Sequence, residues 1–227
     1  ITTADTAANS VGWYSSIAIS QDGFPIISYY DSSAQSLKVA KCLNAACTGF
    51  PTVTVVDTSA NVGQYTSIAI GLDGLPVISY HDSTAGSLKV AKCVNAACTG
   101  TSTVTVVDDP PVNVVGRHSS LKVGLDGFPV IAYFDLNNSA VKVAKCVNAA
   151  CTGTSTITNV DDPPTELVGT ADSLAIGLDG YPVISYYEHS SHFLRVAKCV
   201  NAACTGTSIV TVVDDDGGTG AASITVE

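Results

Sequence analysis

The stretch GLDGLPVISYHDSTAGSLKVAKCVNAACTGTSTVTVVD, residues 71–108, decides the fold, because close copies of it occur four times along the chain. Each copy begins at an Asp-Gly pair flanked by alternating hydrophobic residues, which is a strong signal for a β-hairpin turn. Successive pairs lie 51 to 53 residues apart. The pairs are Asp22-Gly23, Asp73-Gly74, Asp126-Gly127 and Asp179-Gly180.

Each repeat contains four strand signals, which we label A to D in chain order. Strand A of the second repeat is predicted at residues 67–71, after a long connection that reaches Tyr65. A repeat near fifty residues built of four strands is typical of a propeller blade, and no helical periodicity interrupts the pattern. The sequence therefore predicts one all-β domain, a four-bladed β-propeller-type repeat. The predicted blades span about 13–57, 64–108, 117–161 and 170–214.

The eight cysteines form four C-x-N-A-A-C pairs, each in the turn between strands C and D. Cysteines five residues apart across a tight turn can reach disulfide distance, and closing so short a loop stabilises by about 2 kcal/mol. A zinc site is the alternative, but no histidine recurs in step with the pairs. We expect one disulfide per blade and an extracellular or cell-surface location. The predicted bonds join Cys42 with Cys47, Cys93 with Cys98, Cys146 with Cys151, and Cys199 with Cys204.

The repeats resemble those of bacterial secreted, β-propeller-like proteins that carry DG-x-P-[VI]-I-S-Y-x-D and L-K-V-A-K-C motifs. In this chain the motifs stand as DGLPVISYHD at 73–82 and LKVAKC at 88–93, and the resemblance covers almost the whole chain. The resemblance implies an extracellular propeller-type repeat and brings no defined activity with it.

Composition narrows the choice of partners. The formal net charge is −10 and the pI is near 4.5, which argues against nucleic-acid and anionic-membrane partners. The apolar runs have strand length and are too short to span a bilayer. Charged residues make up only 13%, so we expect other subunits or glycans to cover part of the surface. The start ITTADTAANS and the lack of Met fit a mature secreted protein whose signal peptide has been removed.

Two segments exceed the four complete repeats. Residues 1–9 resemble a strand D with its connection, and residues 217–227 end in a further strand A. Unpaired strands invite pairing with another chain, so we expect copies to join by strand addition into a ring or filament. The alternative is that both tails lie across their own domain. The predicted assembly residues are Ile1, Thr2, Thr3, Ala4, Ser223, Ile224, Thr225 and Val226.

A recurring aromatic–acid pair at the end of strand B supplies the candidate ligand site. Rings stack on sugars and carboxylates accept hydroxyl hydrogen bonds, so one shallow glycan site per blade is a hypothesis. The alternative, which the sequence favours, is that the preceding tyrosine packs between blades while the acid begins a turn. The candidate residues are Tyr30, Asp31, His81, Asp82, Phe134, Asp135, Tyr187 and Glu188.

Calcium is the one metal that the acidic residues suggest. The four turn aspartates and three acidic runs offer oxygen ligands, but they lack the spacing of known calcium loops. Turns and solvated loops are the favoured interpretations, so no metal or cofactor is predicted. The residues concerned are Asp22, Asp73, Asp126, Asp179, Asp108-Asp109, Asp161-Asp162 and Asp214-Asp215-Asp216.

No nucleophile, base and orienting acid recur together, and the His189-x-x-His192 pattern occurs in one repeat only. The sequence therefore predicts no enzyme. The predicted function is a secreted structural protein, a subunit of an extracellular fibre or surface assembly. The alternative is a multivalent carbohydrate-binding, lectin-like propeller.

Overall fold

The computed structural model describes residues 3–6, 10–112, 114–163 and 168–214, with the backbone alone for residues 170–172. Within them the chain forms four antiparallel sheets of four strands, each sheet in sequence order. The all-β class and the four strands per repeat are confirmed. Sheet 1 has β1 (Val11–Ile19), β2 (Pro25–Asp31), β3 (Ser36–Lys41) and β4 (Thr52–Asp57); sheet 2 has β5 (Val62–Ile70), β6 (Pro76–Asp82), β7 (Ser87–Lys92) and β8 (Thr103–Asp108); sheet 3 has β9 (Val115–Val123), β10 (Pro129–Asp135), β11 (Ala140–Lys145) and β12 (Thr156–Asp161); sheet 4 has β13 (Val168–Ile176), β14 (Pro182–Glu188), β15 (Phe193–Lys198) and β16 (Ile209–Asp214).

A lysine from the third strand fastens the first hairpin turn of every sheet. In sheet 2, Asp73 Oδ1 accepts hydrogen bonds from the Leu75 amide at 3.0 Å and from Lys92 Nζ at 2.8 Å. Gly74 has a φ of 77°, which a residue with a Cβ adopts only at a cost, and this explains the Asp-Gly sequence. Burial raises the pKa of Asp73, but the bonds from Lys92 and Leu75 outweigh it and hold the pKa below its ordinary value.

The turn between the third and fourth strands is closed by a disulfide in all four sheets. The Cα atoms of each pair lie 4.8 to 4.9 Å apart. In sheet 2, Asn95 Oδ1 also accepts hydrogen bonds from the Ala97 and Thr99 amides, at 3.1 Å each. The cysteines and the asparagine of the motif therefore act together to hold the turn, and the disulfides fit an oxidising environment. The bonds join Cys42 with Cys47, Cys93 with Cys98, Cys146 with Cys151, and Cys199 with Cys204, as predicted.

The second cysteine of each pair does more than the sequence predicts. It has a positive φ of 53° to 55°, which turns the chain back toward the fourth strand. In sheets 2 to 4 it is also fully buried and belongs to the hydrophobic cluster shared with the preceding sheet, whereas in sheet 1 it is only half-buried. In sheets 2 to 4 the disulfide therefore closes the turn and also contributes to the packing between sheets. The buried cysteines are Cys98, Cys151 and Cys204, and the half-buried one is Cys47.

Successive sheets pack face to face through three hydrophobic clusters. Between sheets 1 and 2, the side chains of Ile26, Leu37 and Val39 meet those of Ile68 and Tyr80, and all five are at most 5% exposed. The first strands β1, β5, β9 and β13 lie beside one another, so they form the inner layer. The arrangement is β-propeller-like.

A tyrosine, an aspartate and a lysine cross each of these interfaces. Tyr80 of sheet 2 donates its hydroxyl hydrogen to Asp57 Oδ2 of sheet 1 at 2.7 Å. Lys89 Nζ lies 2.6 Å from Asp82 Oδ2 and 3.8 Å from Asp57 Oδ2. Burial raises the pKa of Asp57, but hydrogen bonds from Ser59 and Tyr80 and the charge of Lys89 lower it below its usual range. The same contacts recur as Tyr133–Asp108 with Lys142 and as Tyr186–Asp161 with Arg195.

In the described part of the chain, no further sheet covers the two outer faces of the array. Ile17 on sheet 1 is 62% exposed, whereas its register equivalent Ile68 is 5% exposed. Leu194 on sheet 4 is 41% exposed, whereas its equivalents Leu37 and Leu88 are fully buried. Each face carries the half of the interface that a further sheet would complete, so the described sheets form an arc with two open ends.

At the sheet 1 end, Asp5 makes the contacts that an aspartate from the outer strand of a preceding sheet makes elsewhere. It accepts a hydrogen bond from the Tyr29 hydroxyl at 2.7 Å and lies 3.6 Å from Lys38 Nζ, as Asp57 does for sheet 2. Thr3 and Ala4, predicted as assembly residues, belong to no strand, and Ala4 and Asp5 border a cavity against sheet 1. The other predicted assembly residues lie outside the described part of the chain: Ile1, Thr2, Ser223, Ile224, Thr225 and Val226.

The inner strands begin about five residues earlier than the sequence predicts. Strand β5 starts at Val62 rather than Ser67, and its register to β6 shifts between Gln64 and Ser67. A bulge places an extra residue in one strand, which breaks the alternation on which strand prediction depends. The described segments include no helix long and apolar enough to cross a bilayer.

Candidate functional site

The irregular starts of the inner strands form one edge of the array, which we call the rim. The rim consists of three residue pairs, Trp13-Tyr14, Gln64-Tyr65 and Arg117-His118, one each from β1, β5 and β9. The first residue of each pair lies opposite the end of the second strand: Trp13 faces Tyr30, Gln64 faces His81 and Arg117 faces Phe134. Thr170-Ala171 is the backbone equivalent in β13.

The second residue of each rim pair has a positive φ: 54° for Tyr14, 51° for Tyr65 and 52° for His118. Bulky residues rarely adopt this conformation, and such strain is concentrated at functional sites. A hydroxyl network holds the bulge of β5, since Ser119 Oγ donates to the Tyr65 carbonyl at 2.7 Å and lies 2.8 Å from Ser79 Oγ. The neighbouring sheet thereby holds the backbone at Tyr65.

The rings of the rim form a ladder across three sheets. The centroids of Tyr14 and Tyr65 are 4.3 Å apart, and those of Tyr65 and His118 are 4.6 Å apart. Trp13 extends the ladder at one end, 6.3 Å from Tyr14. Trp13 is 56% exposed and Tyr14 is 38% exposed, while Tyr65 and His118 are half-buried. A ligand lying along the inner strands would therefore meet four adjacent rings.

Electrostatics keep Tyr14 and His118 in their neutral forms near pH 7. Burial and a hydrogen bond with Tyr65 raise the pKa of the Tyr14 hydroxyl. Burial lowers the pKa of His118, and the charges of Arg117 and His189 lower it further. A neutral imidazole offers both a donor and an acceptor, which suits hydroxyl-bearing ligands.

The predicted aromatic ligand residues lie directly beneath the rim rather than on it. Tyr30 is 7% exposed and donates its hydroxyl hydrogen to Asn61 Oδ1 at 2.8 Å. His81 is 1% exposed, and its Nδ1 lies 2.7 Å from the Val115 carbonyl oxygen. Phe134 is 3% exposed. These side chains support the rim residues that pair with them and offer little surface to a ligand.

The predicted acids are held in the protein's own ion pairs. Asp31 Oδ2 lies 2.7 Å from Lys38 Nζ, while its Oδ1 accepts hydrogen bonds from the Ser33 and Ala34 amides. Asp82, Asp135 and Glu188 repeat this pattern with Lys89, Lys142 and Arg195. Their role in the structure is to begin the turn after the second strand, as the favoured interpretation predicts.

Sheet 4 places three further rings near the same edge. Tyr187 packs against His189 with a centroid separation of 4.6 Å, and its hydroxyl is hydrogen bonded to His192 Nδ1. Tyr187 is half-buried and His192 is exposed. Both histidines contact the same tyrosine ring.

The turn aspartates, which are candidate calcium ligands, each form an ion pair with a lysine. The aspartates are Asp22, Asp73, Asp126 and Asp179. The solvated-loop interpretation is wrong for Asp108 and Asp161, which accept inter-sheet tyrosine hydrogen bonds. Over the described ranges, no three His, Cys, Asp or Glu side chains gather into a metal-binding group. Asp215 and Asp216 lie outside those ranges.

Sequence reasoning missed the rim, although one signal marks it. The glycine before each pair recurs as Gly12, Gly63, Gly116 and Gly169, and a serine recurs three residues after the pair's first member. The intervening pairs read Trp-Tyr, Gln-Tyr, Arg-His and Thr-Ala. Variation inside a strict repeat marks positions that are free of the repeat's packing constraints.

No family model and no curated protein matches the chain. Solved structures do match. A protein of unknown function from Dyadobacter fermentans is 14% identical with a TM-score of 0.67, and the match covers 90% of this chain and 65% of that one. The GH93 α-L-arabinofuranosidase of Fusarium graminearum, solved with arabinobiose, is 14% identical with a TM-score of 0.66, covering 93% and 68%. An exo-β-1,3-galactanase from Phanerochaete chrysosporium is 13% identical with a TM-score of 0.57, covering 92% and 52%.

This chain thus spans about two thirds of the first two matched chains and half of the third. At such low identity the likeness shows the fold alone. It nevertheless corrects one expectation. The prediction that the chain is not an enzyme is wrong, because solved structures with this fold include glycoside hydrolases. An active site assembled from different residues of several sheets leaves no recurring signature in the repeats.

Proposed function

We propose that the protein recognises a glycan along the rim. The observation that carries this is the ladder of Tyr14, Tyr65 and His118, partly exposed and held at positive φ on three adjacent strands. Aromatic faces offer apolar area at low entropic cost, and the polar tips of tyrosine and histidine hydrogen bond with hydroxyls. Matched structures solved with arabinobiose and β-1,3-galactotriose make sugars the first ligands to test.

The proposed site is a single composite one rather than one site per repeat. The rim pairs differ from sheet to sheet, so each contributes a different chemistry to one elongated surface. Recognition of this kind is the step that a lectin and a glycosidase share. Incubating the protein with each bound sugar and assaying for new reducing ends distinguishes the two.

The test uses Trp13, the one tryptophan of the chain, as a built-in reporter. Titration with arabinobiose, β-1,3-galactotriose and oligogalacturonides should change its emission in a saturable manner for at least one sugar. Tyr65→Ala should abolish that saturation, whereas Tyr181→Ala should retain it. Tyr181 is a matched control, because it is 37% exposed and lies beside Lys198 at the opposite edge of sheet 4. A saturable response that survives Tyr65→Ala would refute the proposal.

A second proposed function, assembly of copies end to end, is favoured by the two open faces. The face around Ile17 and the face around Leu194 repeat the two halves of an interface that occurs three times within the chain. A second copy is the occupant we propose, since the face of one copy is the known complement of the other. A head-to-tail contact of this type generates a ring or an open filament.

Sedimentation velocity tests the assembly. The protein should form concentration-dependent oligomers, which Ile17→Asp and Leu194→Asp should each abolish. An equimolar mixture of the two variants should form only dimers, because each retains one intact face. Leu43→Asp is the matched control, since Leu43 is 58% exposed in a disulfide turn. Monomers at all concentrations would refute assembly by these faces.

A further inference from the structure

One cation on the rim, Arg117, has no acidic partner among the residues that the structure describes. Eight of the ten Lys and Arg side chains lie within 4 Å of an Asp or Glu carboxylate. Arg117 makes no such pair among the described residues, although it is half-buried. Its Nε is buried and lacks a hydrogen-bond partner within that part of the chain. A buried donor left unsatisfied is costly, so this guanidinium is available to a partner that the described part of the chain does not supply.

The surroundings of Arg117 are aromatic and basic. Burial lowers the pKa of His81, and the charge of Arg117 lowers it further, as it does for His118. The carboxylate whose charge raises the pKa of His81 is that of Asp82. Asp82 is already paired with Lys89, whose Nζ lies 2.6 Å from Asp82 Oδ2. Among the described residues, no carboxylate therefore forms an ion pair with Arg117 on this stretch of the rim.

We propose that Arg117 binds the carboxylate of an acidic sugar, so that the glycan recognised at the rim contains uronic acid units. This inference rests on the glycan recognition proposed above. A guanidinium presents parallel N–H donors that match the two oxygens of a carboxylate. The rings of Tyr65 and His118 pack on the sugar face while Arg117 selects its charge. Because the whole chain carries a net charge of −10, this local cation rather than long-range attraction must select an acidic ligand.

The decisive comparison uses tetragalacturonate and the same oligosaccharide after reduction of its carboxyl groups to primary alcohols. Trp13 emission and isothermal calorimetry give the two affinities for the wild type, for Arg117→Gln and for Lys122→Gln. Glutamine is the residue that sheet 2 has at this register position, so Arg117→Gln preserves the local backbone. Lys122 is the control, an exposed cation on the same strand.

The wild type should bind the acidic form about ten- to a hundredfold more tightly than the reduced form. Arg117→Gln should remove that preference by weakening the binding of the acidic form, while Lys122→Gln should behave as wild type. Equal affinity of the wild type for both forms, or an unchanged preference in Arg117→Gln, overturns the role of Arg117 while glycan recognition stands. If the wild type binds neither form, nor arabinobiose, nor β-1,3-galactotriose, then both the role of Arg117 and glycan recognition at the rim are overturned.

Discussion

Replacing one isoleucine in two equivalent places measures how far the ends of the array are open. Ile17 and Ile68 both lie in the sequence Ser-Ile-Ala-Ile on an inner strand, so local strand propensity is the same for both. Ile68 is 5% exposed between sheets 1 and 2, whereas Ile17 is 62% exposed on the outer face of sheet 1. Any difference between the two alanine variants therefore reports the presence or absence of a packed neighbour.

The expected magnitudes follow from the buried side-chain volume. Ile68→Ala removes buried methyl and methylene groups and leaves a cavity, which should cost about 3 kcal/mol in the free energy of unfolding. Ile17→Ala removes groups that are mostly in water already, so the loss should be about 1 kcal/mol or less. The buried register equivalents of Ile68, which are Leu121 and Leu174, should behave as Ile68 does.

Urea unfolding with the disulfides intact, followed by circular dichroism at low protein concentration, gives both free energies from the midpoint and slope. Low concentration keeps the end faces free of a second copy. Equal losses for Ile17→Ala and Ile68→Ala would refute the open-ended array, because they would mean that the face of sheet 1 is covered.

Three further outcomes follow from the interfaces between sheets. Tyr80→Phe should destabilise by about 1–2 kcal/mol in the same urea assay, because it removes the hydrogen bond to the buried Asp57 carboxylate; no loss would contradict the inter-sheet role. Replacing both Cys93 and Cys98 by serine should cost at least about 2 kcal/mol, because the loop is opened and a hydroxyl replaces the buried Cys98 sulfur; a variant as stable as wild type would contradict the stabilising role of the turn. Thermal midpoints should fall in two steps with pH. The first lies below about 6.5, because the folded-state pKa values of His81 and His118 are lowered and the unfolded chain binds more protons there. The second lies below about 4, because the folded-state pKa values of Asp57, Asp82 and Asp135 are lowered and the unfolded chain therefore takes up protons first as the pH falls. A thermal midpoint that stays constant from pH 7 to pH 3 would contradict both steps.

The strands, turns and disulfides could be predicted because their chemistry is local. Asp-Gly specifies a hairpin through the positive φ of Gly74, and the cysteine spacing specifies a closed turn. Burial of Cys98 against the preceding sheet could not be predicted, because the half-buried Cys47 has the same neighbours in sequence. The Tyr80–Asp57 bond could be predicted only in part, since burial of the tyrosine follows from the strand pattern but its partner lies on a different sheet.

The rim could not be predicted from the same kind of signal. A positive φ at Tyr65 contradicts the residue's own preference, and the Ser119 hydroxyl of the next sheet stabilises this conformation by a hydrogen bond to the Tyr65 carbonyl. The recurring glycine and serine mark where the variable pair lies in the sequence, but they do not encode this contact between sheets. The open ends also escape prediction, since Ile17 and Ile68 have identical neighbours in sequence and differ only in what packs against them.

A crystal structure of the protein with tetragalacturonate tests glycan recognition at the rim most directly. The account predicts a sugar ring in van der Waals contact with the Tyr65 ring, at about 4 Å, and a carboxylate within hydrogen-bond distance of the Arg117 guanidinium, at about 3 Å. Density for the oligosaccharide at the Asp-Gly turns or on the outer strands, with the rim empty, would contradict it.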